Sequence, residues 1–105
     1  MKRFLLEKET LPPAILQDID RVKTILLDYG ANRIILYGSL ARGDYRADSD
    51  IDICTEGMPD ENYFRALAEC LMNIQRPVSI LNLKNAHGYF RERVFNEGKI
   101  LYGPK

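Results

Sequence analysis

Several things this sequence lacks narrow what it can do. Fifteen lysines and arginines face fifteen aspartates and glutamates, a formal net charge of zero, so no chain-wide field draws the protein onto nucleic acid or an anionic membrane. Any polyanion must be held locally. The apolar runs are only a handful of residues long, far short of the roughly 20 a membrane helix needs, and the opening MKRFLLEKET is too charged for a secretory signal. No membrane association is expected, and the location read from the sequence is cytoplasmic. There are two cysteines, Cys54 and Cys70, without metal-ligand spacing, and one histidine, His87, which offers them no partner. Both cysteines read as small core residues, and His87 as a surface or helix-capping residue. Internal repeats and low-complexity linkers are also missing.

What is present is an ordinary globular composition, 46% apolar and 29% charged, over 105 residues, enough for one core and too little for two. A single domain over residues 1–105 is expected. Its charged first ten residues are either a flexible lead-in or a partner-binding arm. Pro12 and Pro13 suit a helix's first turn, and Ile15, Leu16, Ile19, Val22, Ile25, Leu26 and Tyr29 keep helical spacing up to Gly30. Arg33 to Tyr37 is β-branched and apolar on both faces, as in a doubly covered central strand. Ser39 to Arg42 predicts a helical turn, Gly43 to Ser49 a polar loop, and Asp50 to Cys54 a second, alternating strand.

Beyond Gly57 and Pro59, Tyr63, Phe64, Leu67, Leu71 and Ile74 mark a second long helix, capped by Asp60 and stopped before Pro77. Val78 to Leu83 predicts a third strand, Ala86 to Asn96 a short helix, and Ile100 to Tyr102 an edge strand. The resulting fold class is α/β (α+β): a small mixed β-sheet with helices packed on it.

The stretch with chemistry in it is GSLARGDYRADSDID, Gly38 to Asp52. A strand ending in Gly-Ser before a helical turn brings backbone N–H groups and a positive dipole end to one point, which favours a phosphate. Gly38 allows a sharp turn and a close approach, Ser39 adds a hydroxyl, and Arg42 and Arg46 add guanidinium forks. Asp50 and Asp52, two apart on a strand, project to one side. Two such carboxylates repel and raise each other's pKa unless a cation lies between them. Magnesium is the hard, oxygen-preferring ion that carboxylates share with substrate phosphates. Alone, the pair reads equally well as solvated acids at a strand edge; the phosphate cradle ten residues upstream tips the balance toward a metal. Tyr37, Tyr45 and Tyr63 read mainly as packing residues, with stacking on a base as the alternative.

This segment resembles the signature of the polymerase-beta-like nucleotidyltransferase superfamily, Gly-Ser followed some ten residues on by Asp-x-Asp. In detail it looks like the minimal nucleotidyltransferase (MNT) family, small antitoxin-type proteins often paired with HEPN-domain toxins. The flanking element order and the closing EGKILYG resemble that family as well. The resemblance implies a palm-like nucleotidyltransferase fold in which Gly38, Ser39, Arg42 and Arg46 hold a nucleoside triphosphate. It likewise implies that Asp50 and Asp52 are the catalytic metal ligands for Mg2+. The implied reaction moves a nucleotidyl group, AMP from ATP or the equivalent from another NTP, to a hydroxyl such as a tyrosine of a HEPN-domain partner.

One departure qualifies this. Active members of the superfamily carry a third carboxylate on the next long strand, and the aligned position here is Ser79, with no Asp or Glu anywhere between Glu69 and Glu92. Serine is neither an anionic ligand nor a base near neutral pH, and loss of a positioned base costs a factor of about a hundred to ten thousand in rate. Glu56 lies four residues beyond Asp52 as a substitute acid, at the strand's far end. Two functions therefore stand side by side: a transferase, and a catalytically degenerate antitoxin or regulatory subunit that still binds nucleotide. A polymerase or tRNA-modifying enzyme would need a basic surface or further domains, so nucleic acid is not the expected partner. A homo-oligomer stays open.

Overall fold

The computed structural model describes residues 2–3 and 11–104. Apart from Lys2–Arg3, the charged arm expected at the start lies outside them. The elements in chain order are β1 (Lys2–Arg3), α1 (Pro13–Asp28), β2 (Arg33–Tyr37), α2 (Ser39–Arg42) and β3 (Ile51–Glu56). They continue with α3 (Asp60–Asn73), β4 (Val78–Asn82), a 3-10 turn (Leu83–Asn85), α4 (Gly88–Glu97) and β5 (Lys99–Tyr102). The strands form one mixed sheet in the order β1-β5-β2-β3-β4. β2 runs antiparallel to both β3 and β5, whereas β3 and β4 are parallel and need α3 as their crossover.

Side-chain alternation sorts the sheet into two faces. Ile34 and Leu36 of β2 and Ile51 and Ile53 of β3 point to one side, where they join Ile15, Ile19, Val22 and Leu26 of α1 and Ala66 and Cys70 of α3. Ile35 and Cys54 point to the other, under Leu83, Ala86 and Val94. Cys54 and Cys70 are buried and free, as the sequence suggested, and burial pushes each thiol up to about 11. Among the described residues no helix is long and apolar enough to cross a membrane.

Four local expectations need correcting. Asp60 does not cap α3: Pro59 holds the cap position without a side-chain bond, and Asp60 is the first helical residue, ion-paired with Lys84 at 3.0 Å. The face α3 buries is lined by small residues, so that Ala66 and Cys70 are fully covered while Phe64 and Leu71 are 81% and 57% exposed. The strand expected from Asp50 begins at Ile51 and runs on to Glu56. Finally, Lys99–Tyr102 is not the outermost strand, because β1 pairs alongside it.

Candidate functional site

The end of β2 and the start of β3 meet at one edge of the sheet, with Tyr37 paired to Asp52. At Gly38 the chain turns with φ 76° and ψ −160°, a conformation that is essentially glycine-only. A Cβ there would also run into the Asp52 carboxylate, so Gly38 is needed both for the turn and for the close approach. In α2 the first helical bonds come from the N–H groups of Ala41 and Arg42, donating to the Gly38 carbonyl. The N–H groups of Ser39 and Leu40, one step earlier, have no carbonyl a turn behind them to reach.

Asp50 is exposed just ahead of β3, and Asp52 is half-buried within it. Burial holds the Asp52 carboxyl above its ordinary range, the Asp50 charge adds to that, and Arg42 opposes it. Across β4 the residue in register with Asp52 is Ser79, which is exposed. Tyr37, Asp52 and Ser79 thus form one row across three strands. The Tyr37 phenol is pushed up to about 12, chiefly by burial and then by Asp52, while the nearby Ser79 side chain pulls the other way. Its ring meets Phe90 of α4 edge-on, centroids 5.6 Å apart.

Gly38, Ser39, Arg42, Asp50 and Asp52 are therefore gathered at one edge, with Ser79 beside them. The Arg42 Nε donates to Asp44 at 3.2 Å and its Nη1 to Glu97 at 3.2 Å, and these carboxylates, Glu97 first, hold its proton more tightly. Arg46 sits exposed on the loop, its backbone N–H donating to Ser49 Oγ at 2.7 Å. Glu56 pairs with Arg33 at 3.4 Å, at the opposite end of the β2–β3 ladder from Asp52, so it is no stand-in for the missing acid. His87 occupies the cap position of α4 without a capping bond. Tyr63 shares a 2.7 Å hydrogen bond with Thr55, and Tyr45 packs against the larger core.

Two residues at this edge escaped local sequence reading. Arg76 donates from Nη1 to the carbonyls of Ala47 and Ser49, at 2.6 and 2.9 Å, and so pins the loop that delivers Asp50. Glu97 reaches Arg42 from 55 positions away. It can do so because Gly98 lets the end of α4 close onto β2, where a Cβ would strike Ile35 and the Val94 carbonyl. Among the described residues no three His, Cys, Asp or Glu side chains come together as a metal-binding group. The site offers a pair of acids and a serine.

Residues 20–105 match the family model described as polymerase beta, nucleotidyltransferase. The chain belongs to that family. A Methanocaldococcus jannaschii chain provisionally named a protein adenylyltransferase is 37% identical over 78 residues, covering 67% of this member and 77% of the relative. Among solved structures, a toxin-antitoxin crystal structure with AMP-PNP superposes with TM-score 0.70 at 22% identity, covering 82% of this chain and 73% of the other. A Shewanella oneidensis complex of a tri-AMPylated HEPN toxin with its MNT antitoxin superposes with TM-score 0.66 at 19% identity, covering 85% and 72%. At such identities these two superpositions establish the shared nucleotidyltransferase fold, that of the minimal nucleotidyltransferases.

Proposed function

We propose that this nucleotidyltransferase binds a nucleoside triphosphate, ATP in the first instance, together with magnesium at the Gly38 edge, and transfers AMP to a hydroxyl of a partner protein, the hydroxyl oxygen bonding to the α-phosphorus as pyrophosphate leaves and the hydroxyl proton is lost to solvent. The observation that carries the reading is the approach of the Gly38 turn to the Asp52 carboxylate, so close that no side chain fits between them. A phosphate received by the backbone N–H groups of α2 would lie beside both aspartates.

The donor set fits one divalent cation. Asp52 is half-buried and already penalised by Asp50, a penalty that a cation between the two carboxylates removes, and magnesium is commonly held by one or two carboxylates plus substrate phosphates. Asp50 and Asp52 would hold it, and when bound it would supply positive charge to the phosphate oxygens. The protein's own share is positional. Gly38 and Ser39 receive phosphate, Arg42 adds charge from the end of α2, Arg46 lies on the loop that follows, and Arg76 fixes that loop where it carries Asp50. The name of the M. jannaschii relative supports adenylyl transfer to protein, and the Shewanella complex with its tri-AMPylated HEPN toxin supports a HEPN-domain protein as acceptor.

The purified chain should be incubated with magnesium and α-labelled ATP, alone and with HEPN-domain candidates from its own genome. Label should appear on the acceptor, and Asp50→Ala should abolish it. Label on neither protein, with Asp50→Ala indistinguishable from wild type, would end the transferase reading.

A specific observation favours a second reading, a nucleotide-binding antitoxin or regulatory subunit that does not turn over. Ser79 stands directly opposite Asp52, in the place where a third acid would activate the incoming hydroxyl. This reading predicts ATP binding without transfer, and transfer appearing on Ser79→Asp. If Ser79→Asp leaves transfer unchanged, the serine is not the defect.

A further inference from the structure

Beside Gly38, on the α4 side, lies a cavity of about 130 Å³ whose lining includes Tyr37, Gly38, Arg42, Phe90, Arg93 and Glu97. It is too small for a nucleotide, since small-molecule pockets run to ~300 Å³ and more. It is the size that holds one small group, since a cavity of about 150 Å³ takes a benzene, and a single phosphoryl group is no larger. Its polar content is one carboxylate between two guanidinium groups. Glu97 accepts from Arg42 Nη1 on Oε2 at 3.2 Å, and its Oε1 faces Arg93 Nε at 3.5 Å. The three side chains are 34%, 47% and 28% exposed for Arg42, Arg93 and Glu97, open enough to exchange partners.

We infer that Arg42 and Arg93 form the seat for the terminal phosphate of the triphosphate, and that Glu97 holds the two guanidiniums in place until the phosphate takes its position. This rests on the nucleotide-binding reading above. Gly38 supplies the continuity: on one side its backbone abuts Asp52, and on the other it lines the cavity. A chain of phosphates whose first member sits near Asp52 and crosses Gly38 ends between Arg42 and Arg93. Guanidinium is the right chemistry for that end, because its planar fork pairs bidentately with phosphate oxygens. Glu97 accepts a hydrogen bond from Arg42 and is ion-paired with Arg93, and so mimics the anion, while Asp44 steadies Arg42 from its Nε side. A triphosphate tail replaces it with more charge and more acceptor atoms.

The test is calorimetric titration of the full chain, with magnesium, by three probes: ATP, AMP and inorganic tripolyphosphate. Arg93→Gln should weaken ATP and tripolyphosphate about tenfold or more, the value of one hydrogen bond to a charged group, while AMP is unaffected. Glu97→Gln, an isosteric change that removes the competing charge, should tighten tripolyphosphate. Equal losses for ATP and AMP in Arg93→Gln, no loss for either, or weaker tripolyphosphate binding in Glu97→Gln would each overturn the assignment. If the wild-type chain binds ATP with an affinity indifferent to Arg93, only this inference falls. If it binds neither ATP nor tripolyphosphate, the nucleotide-binding reading falls with it.

Discussion

The two faces of the sheet are built for different ends. On the face under α1 and α3, one continuous apolar cluster runs from Leu11 to Val78 and takes in residues of six elements. On the opposite face the buried cluster among the described residues is Ile35, Cys54, Leu83, Ala86 and Val94. Past its end lie Tyr37, Asp52 and Ser79, which are at most half-buried. The same β2 and β3 serve both, because successive side chains alternate. Stability is concentrated on the first face, and the second keeps an aspartate in a place that raises its pKa. Groups with perturbed pKa values cluster at functional sites, which is why this edge is the candidate.

The contrast can be broken by mutation. Leu26 is fully buried on the closed face and Leu83 is 1% exposed on the other, so the two offer a matched pair. Leu26→Ala should cost about 4–5 kcal/mol and Leu83→Ala about 3, the two ends of the measured leucine-to-alanine range, because the smaller cluster collapses more easily around a cavity. Chemical denaturation measures both, and a larger loss for Leu83→Ala would contradict the division of labour.

Gly38→Ala comes next. The φ/ψ penalty alone is about 1–3 kcal/mol, and the new methyl meets Asp52, so Asp52→Ala in the same chain should restore part of the loss. Strict additivity of the two changes in a double-mutant cycle would mean that the glycine and the aspartate do not meet.

A smaller effect, of opposite sign, is expected from Asp52→Asn. Burial holds the folded carboxyl above the ordinary aspartate pKa, so wild-type stability attributable to this group is greatest below the unfolded pKa and is lost as pH rises through the folded one. At neutral pH and without metal, Asp52→Asn should therefore melt higher than wild type by less than the Leu83→Ala change lowers it. The gain should vanish near pH 3. A variant less stable than wild type at neutral pH would show that the charged Asp52 supports the fold. The smallest effect expected is Tyr63→Phe, which removes the hydrogen bond with Thr55 and should cost about 1 kcal/mol.

How much of this was legible beforehand depended on how far apart the partners lie in sequence. Gly38, Ser39, Asp50 and Asp52 share fifteen residues, and a strand-turn-helix followed by a strand brings them together whatever the rest of the chain does. Ser79 was singled out through the family resemblance alone, and only the parallel register of β3 and β4 in the structure sets it opposite Asp52. The inward face of α3 did not follow, because hydrophobicity points to Phe64 and Leu71 whereas close packing against α1 and the sheet selects the small Ala66 and Cys70. Nor did local pattern show that Arg76 holds the Asp50 loop or that Glu97 reaches Arg42, pairings 27, 29 and 55 positions apart.

The central claim is that Asp50 and Asp52, beside the Gly38 turn, hold a metal-bound triphosphate. It is tested most directly by titrating ATP into the full chain with and without magnesium, using wild type and the Asp50→Asn/Asp52→Asn double variant. Wild type should bind ATP only with magnesium, and that binding should disappear in the double variant. Equal affinity with and without magnesium, or in the two proteins, would contradict the claim.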